Sequence, residues 1–537
     1  MLFRHHLQES DLPNIPINEE SRAYDLNWAS SPFDKPLSFD GLPSPDHAIY
    51  LIESLKFHVG QLFHLFDEKR FMQRLRDFYA DPAQHVKRDR IWYVQFLAVL
   101  ALGKAVATNP AKGSRTLPGS ALFSRAMSLM PDSSYLFNDA LTAIETLCVV
   151  ALYLQSADMR NSAYIYTSQA MGMSLVFGLH RERPTDGGWS SETVSRCQRV
   201  WWTVYILERN FACTMGVPMT IHEEDITTPM PDKKDASLYV HVRISGLIFQ
   251  VIRKIYGVEG RLQANFLPSV KEVLARIASI AGDLNGRFPL PSEGTEDIIS
   301  RASAHLHLVY HQAILLTMYP LLMYLVQTRL REGTQGSIDS RALSETTKAL
   351  LKSCAESCST MMRILSSLRK EGLLESFLPF DLERIFSAAF VLRMLRFVMP
   401  RLRNYRALRS ESILLLDDLT HRGSIPATFR KSELESLETM MGIWRAEESR
   451  RTQDRVEISD ENPPPARPQQ AVQTPLGDLP EPGLEEFESN LDDPSTMSPG
   501  HLLSLVELVD FQEGTMDTDM TWMDAWLWEN PEELPTT

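Results

Sequence analysis

Two residue pairs in this chain have the spacing of metal ligands. His307 and His311 are four apart, and so are Cys354 and Cys358. Residues four apart share one face of a helix, which is how a helix offers two ligands to one ion. Neither pair has a further ligand to complete a site, and no Glu follows His307. The histidines are therefore expected to be ordinary polar positions on a helix. The cysteines are expected to be small buried residues, because free Cys is among the most buried types. The stretch His222-Glu223-Glu224-Asp225 is rich in ligand atoms but lacks the second His of a metalloprotease helix. It reads as a loop or helix start carrying solvated acids. No Gly-x-Ser-x-Gly elbow, Walker loop or Gly-x-Gly-x-x-Gly turn occurs. No catalytic, cofactor-binding or metal residue is expected, and no cofactor.

Charge is divided unevenly along the 537 residues. Residues 468–537 hold 16 Asp and Glu and no Lys or Arg. A tail charge of −16 within a whole-chain charge of −15 leaves +1 on the preceding 467 residues. A nearly neutral body has no electrostatic footprint for nucleic acid. The series Arg401, Arg403, Arg406 and Arg409 reads as solvated surface at a helix end, as charge runs usually are. The five cysteines are scattered, which argues against a disulfide framework and fits a reducing compartment. The longest apolar run, Ala313 to Val326, is 14 residues and contains Pro320. It falls short of the ~20 residues of a spanning helix, so no membrane partner is expected.

The elements that must position these residues are helical throughout. Apolar residues recur at three- and four-residue spacing over 48–79, 91–107, 121–130, 139–155, 161–177, 192–209 and 237–256. The same pattern continues over 270–284, 298–327, 341–369, 379–398 and 431–448. Asp81-Pro82 should break the chain, and Pro320 should kink or break its helix. The pair 139–155 and 161–177 reads as an antiparallel hairpin. In its second helix Ala163, Ala170 and Ser174 line one narrow side, with Gly172 near it for a close helix approach, and Gly178 supplies the stop. Ser190 and Ser191 can cap the next helix, and Glu192 and Arg196 are spaced to pair along it. Trp201 and Trp202 cannot share a face, so each should pack on a different neighbour. The fold class is all-α, with an extended arm over 1–45, a helical body over 46–449, a Pro-rich linker over 450–500 and an acidic-aromatic segment over 501–537.

Four stretches, in order, carry a resemblance. They are AYIYTSQAMGMSLVFGLHRE, RCQRVWWTVYILERN, MGVPMTIHEEDITTPMP and LHLVYHQAILLTMYP. Together, over about residues 46–410, the chain resembles the regulatory middle region of fungal transcription factors, of the type found in xylanolytic activators behind a zinc-binuclear-cluster domain. The positions that match the motifs are Gly178, Leu179, His180, Arg199, Trp201, Trp202, Gly216, Pro218, Asp225 and Pro231. Arg196-Cys197-Gln198-Arg199 departs from the family's Arg run, Glu208 from its Asp, and Val217 and Tyr319 from its Arg positions. The zinc cluster needs six closely spaced cysteines, and no Cys precedes Cys148.

The resemblance implies a nuclear transcription regulator, not an enzyme. DNA contact is expected from a partner regulator, as a homo- or heterodimer, or from a missing N-terminal region. A small-molecule effector is a further partner the family implies. The acidic segment would recruit the transcription machinery through Phe511, Trp522, Trp526, Leu527 and Trp528. The alternative is a helical ligand-binding or scaffold protein that titrates a full-length regulator.

Overall fold

The computed structural model describes residues 39–442 except 109–115, 184–188, 257–262, 292–297, 333–343 and 401. The expected arm over 1–45 lies almost wholly outside them, as do the linker and the acidic-aromatic tail. Among the described residues every regular element is a helix, as the patterning predicts.

In chain order the helices are α1 (Pro45–Leu55), α2 (Glu68–Ala80), α3 (Pro82–Arg88), α4 (Arg90–Ala107), α5 (Ser120–Ser128), α6 (Ser133–Leu136), α7 (Ala140–Ser156) and α8 (Arg160–Val176). There follow α9 (Ser191–Met215), α10 (Ala236–Val251), α11 (Gln263–Arg287), α12 (Arg301–Glu332), α13 (Glu345–Lys370), α14 (Pro379–Val398), α15 (Tyr405–His421) and α16 (425–442). Short acidic and hydroxyl side chains set many of the starts. Asp67, Asp81, Asp89 and Asp139 each accept a backbone N–H from the first turn of the helix they precede.

The single helix expected over 48–79 is divided. A π-helical turn, Lys56–Gly60, ends α1, and the chain crosses to Asp67 before α2 begins. Pro82 does not simply break the chain either. It occupies the first position of α3, where its missing N–H costs nothing. The chain does not break at Pro320, since α12 runs through it as one helix. The helix expected at 192–209 extends to Met215, and α15 begins among the arginines at 401–409.

Two apolar cores form side by side. The first gathers α1 to α9, and the second gathers α11 to α16. Helix α10 is the wall between them: Leu238 and Val242 face the first, while Val240, Ile244, Leu247 and Val251 face the second. Ala302 of α12 and Phe380 of α14 cross the same boundary into the first core. Three stretches, Arg90–Ala107, Phe137–Ser156 and Arg301–Leu330, are long and apolar enough to cross a membrane by length and composition. Polar side chains such as Gln95, Glu145 and His307 interrupt each of them, so none is a single uninterrupted apolar run. Their apolar windows are 78%, 83% and 72% buried within the fold. Neighbouring helices therefore occupy the apolar surface on both sides of α4 and α7, the pattern of a central helix.

Candidate functional site

The residues carrying the resemblance converge on α9 and the loop after it. Helix α8 stops at Gly178, which takes a left-handed φ of 71°, and the Leu179 N–H reaches back to the Ser174 carbonyl at 2.9 Å. Helix α9 stops in the same way. Gly216 has φ 66°, and the Val217 N–H donates to the Ala212 carbonyl at 3.1 Å. Both are glycine caps that satisfy terminal carbonyls. They turn the chain so that residues 217–231 return along α9.

The loop is then fastened at three places. The His180 carbonyl accepts from the Thr227 and Thr228 N–H groups at 2.9 and 3.0 Å. The Trp202 indole donates to the Pro229 carbonyl at 2.9 Å. Glu223 accepts from the Tyr205 hydroxyl at 2.6 Å and from Arg209 at 2.9 Å. Arg209 also stacks on the Tyr205 ring, 3.4 Å from its centroid, and contacts Glu208, whose other oxygen caps the Thr220 N–H at 2.7 Å. Burial pushes the Tyr205 hydroxyl well above the usual phenol range, so it remains a donor to Glu223.

A second polar cluster anchors the other side of α9. Arg196 grips Glu145 of α7 with two bonds of 2.9 and 2.8 Å and reaches the Thr142 hydroxyl at 3.2 Å. Glu145 also meets His64 and Gln95, each at 3.1 Å. Burial alone would raise this carboxyl. The hydrogen bonds from His64 and Arg196, with the Arg196 charge, hold it down at about 2. A buried carboxylate with three donors around it is a satisfied network, which fixes how four segments meet.

The motif positions thus have distinct places. Leu179, Trp201, Trp202 and Pro231 are buried, and the Trp201 ring lies 5.9 Å from His180. Trp201 and Trp202 do face different neighbours. Arg199 is half-buried on α9, while Gly216, Pro218 and Asp225 are exposed. Asp225 closes a short 3-10 turn, its N–H donating to the His222 carbonyl at 3.2 Å.

Several expectations need correction. Glu223 is held by Tyr205 and Arg209 rather than solvated. Arg196 does not pair with Glu192, because Glu145 offers it a buried carboxylate. Gly172 faces outward with open space around it, so the close approach along α8 rests on Ala163, Ala170 and Ser174. His307 and His311 are buried rather than ordinary polar positions. His307 bonds the Phe288 carbonyl at 2.8 Å, and burial lowers the two imidazoles to about 4 and about 3. Arg409 ties α15 to Glu438 of α16, one bond being 2.7 Å, so this arginine is not free surface. Cys354 and Cys358 are buried as expected. Among the described residues no three His, Cys, Asp or Glu side chains converge as metal ligands. Sequence reasoning missed Glu145, Gln95 and His64, although an acid inside the apolar run of α7 was the available signal. The tail anchors Phe511, Trp522, Trp526, Leu527 and Trp528 lie outside the described residues.

Residues 53–282 match the model of the fungal specific transcription factor domain. An uncharacterized transcriptional regulatory protein of Schizosaccharomyces pombe is 23% identical over 366 residues, covering 65% of this chain and 44% of the relative. The thiamine repressible genes regulatory protein thi1 of the same yeast is 22% identical over 368 residues, covering 65% and 45%. Activator of stress genes 1 of Saccharomyces cerevisiae is 22% identical over 230 residues, covering 42% and 23%. The chain spans less than half the length of these relatives. The matched segment holds most of the first core, α10 and most of α11, so both glycine-capped helices and the strapped loop fall within it. The chain carries a fungal specific transcription factor domain at residues 53–282.

Proposed function

We propose that this chain is a nuclear transcription regulator, with the helical body as a regulatory and dimerisation unit and residues 501–530 as an activating segment. The observation that carries the reading is the domain at 53–282, shared with relatives named as transcriptional regulators. The charge distribution supports the division of labour. A body near neutrality lacks the cationic surface that gives most nucleic-acid affinity, so DNA contact falls to a partner regulator or to a region outside this sequence. The tail interleaves Trp and Leu with acids, which keeps its apolar groups solvated and available to a basic-rimmed apolar groove on the transcription machinery. Regulation rather than catalysis is the role proposed.

The test is to tether residues 501–530 to an unrelated DNA-binding domain and read a reporter gene. Activation is expected, and Trp522→Ala with Trp526→Ala should abolish it, because aromatic anchors carry most interface energy. Asp519→Asn with Asp524→Asn should weaken it less. A silent segment, together with unfolding of the body when the tail is deleted, would favour the titrating scaffold instead.

A further inference from the structure

The outer face of α8 is apolar, open to solvent and free of acids. Asn161, Ile165, Ser168, Gly172 and Val176 fall on one stripe of the helix at three- and four-residue spacing. Ile165 is 63% exposed and Val176 58%. Between them Gly172 has open space around it, so the stripe dips near its centre. The opposite side of α8 is the one that packs on α7 and α9, through Ala163, Ala170 and Ser174. Cations stand at the C-terminal end of the stripe. Arg183 lies over the Phe177 ring at 5.0 Å and the Trp189 ring at 4.5 Å, and donates to the Phe177 carbonyl at 2.8 Å. Trp189 is itself 42% exposed and meets Phe177 edge to face at 6.4 Å. Arg181 contacts the His180 imidazole at 3.1 Å. Among the described residues neither arginine meets a carboxylate. No Asp or Glu occurs between Asp158, which Arg160 holds at 3.0 Å, and Glu182.

Other exposed apolar faces differ in charge. On α16, Phe429 and Met440 stand among Glu433, Glu435 and Glu438, and on α1, Tyr50 and Phe57 flank Glu53. An acidic apolar segment therefore meets less repulsion on α8 than on either. Such a segment lies in the same chain. Residues 501–537 interleave Trp and Leu with acids and hold no Lys or Arg. Trp522 and Trp526 are four apart, the spacing of Ser168 and Gly172 on the α8 stripe. The described body ends at residue 442 in α16, which leaves residues 443–500 as a tether. A segment of that length spans roughly 40 Å at random-coil dimensions. A globule the size of the body has a radius of gyration of about 22 Å, so the tether reaches this face.

We propose that the outer face of α8 is a docking surface for residues 501–537 of the same chain. Trp522 and Trp526 bind as one turn of helix over Ser168 and Gly172, between Ile165 and Val176. The acids of the segment meet Arg181 and Arg183 at the rim. Tethering makes the contact intramolecular, so a weak interface suffices to populate it. The contact rests on the composition of the two surfaces and not on reporter activity, so docking and activation can each fail without the other. On the function proposed above, the same indoles serve the body and the transcription machinery in turn, and the two contacts compete.

The test places a photo-reactive benzoylphenylalanine at the position of Gln169, at the edge of the stripe, in the full-length chain. Irradiation should yield an intrachain cross-link that peptide mapping assigns to residues 501–537. Trp522→Ala with Trp526→Ala, which changes the tail alone, should cut that yield at least ~10-fold, because aromatic anchors carry most interface energy. Ile165→Glu with Val176→Glu, at exposed positions, should cut it similarly by adding like charge. Raising salt from ~0.05 to ~0.5 M should lower it as the rim charges are screened. The same probe at the position of Phe429 on α16, nearer the tether, should capture little of the tail. Four results would overturn the proposal: no tail cross-link at position 169, equal capture at position 429, a yield indifferent to the Trp pair, or a product of twice the chain mass. The last would seat the tail of a second copy there instead.

Discussion

The Tyr256 hydroxyl donates to the Leu316 carbonyl at 2.7 Å. That carbonyl is the one Pro320 cannot bond, because proline four residues later has no N–H. The side chain at the end of α10's π-helical extension thus replaces the missing backbone donor, and α12 continues unbroken through the proline. Burial raises the Tyr256 hydroxyl far above the usual phenol range, so it stays protonated and able to donate.

Tyr256→Phe should therefore cost about 1–3 kcal/mol, the penalty of a buried carbonyl left without a donor. In a Pro320→Ala background the backbone N–H returns, and the same Tyr256→Phe change should cost much less. Urea denaturation of the four proteins in this double-mutant cycle checks the coupling. Equal costs in both backgrounds would show that Tyr256 acts through packing alone.

Glu145 and the buried histidines make the fold acid-labile. The Glu145 carboxyl is held at about 2 in the fold, below its ordinary 4.5, so its contribution is full above pH 4.5 and is lost as pH falls toward 2. His307 and His311 are lowered to about 4 and about 3 from 6.5. The unfolded chain takes up their protons first, so stability falls as pH drops below 6.5 and levels off only near 3. Denaturation midpoints at pH 7, 5.5 and 4 should decline steadily. Glu145→Gln should lower stability at pH 7 by roughly 3–5 kcal/mol by stranding Arg196, and should flatten the steepest acid limb.

At Gly103, α4 approaches the backbone of α1 closely. A Cβ there would stand 2.4 Å from the Leu51 carbonyl oxygen. Ala is the better helix former by about 1 kcal/mol, but this contact is with backbone, which cannot swing aside. Overpacking costs typically ~1–3 kcal/mol, so Gly103→Ala should destabilise despite its propensity, by a net amount up to about 2 kcal/mol. A raised melting temperature would show that α1 yields.

The helical class, the α7–α8 hairpin and the caps at Gly178 and Ser190 were legible because each is written locally, in periodicity or in one residue's conformational preference. The continuity of α12 was not, since it depends on Tyr256, sixty residues before the carbonyl it serves. The same holds for Arg196. Local spacing pairs it with Glu192, and only the packing of α9 on α7 offers Glu145. His307 and His311 looked ordinary because a polar residue's burial is decided by its neighbours. The motif residues pointed to the right stretch of chain, but their mutual fastening through the His180 and Pro229 carbonyls involves backbone that no side-chain pattern encodes.

Trp201 separates stability from regulation in the motif region. It is 0% exposed, in the first core beside His180. Trp201→Ala should cost about 3–5 kcal/mol, the range for a fully buried large aromatic, and soluble protein should fall with any regulatory output. Trp202→Phe is the contrasting variant. It keeps most of the apolar volume and removes only the indole donor to Pro229, so it should cost about 1 kcal/mol and loosen residues 217–231 selectively. Hydrogen exchange should then quicken at Thr227 and Thr228, whose N–H groups bond His180, while amides within α7 stay protected. Uniform loss of protection across α7 and the loop would instead make the strap part of the core's cooperative unit.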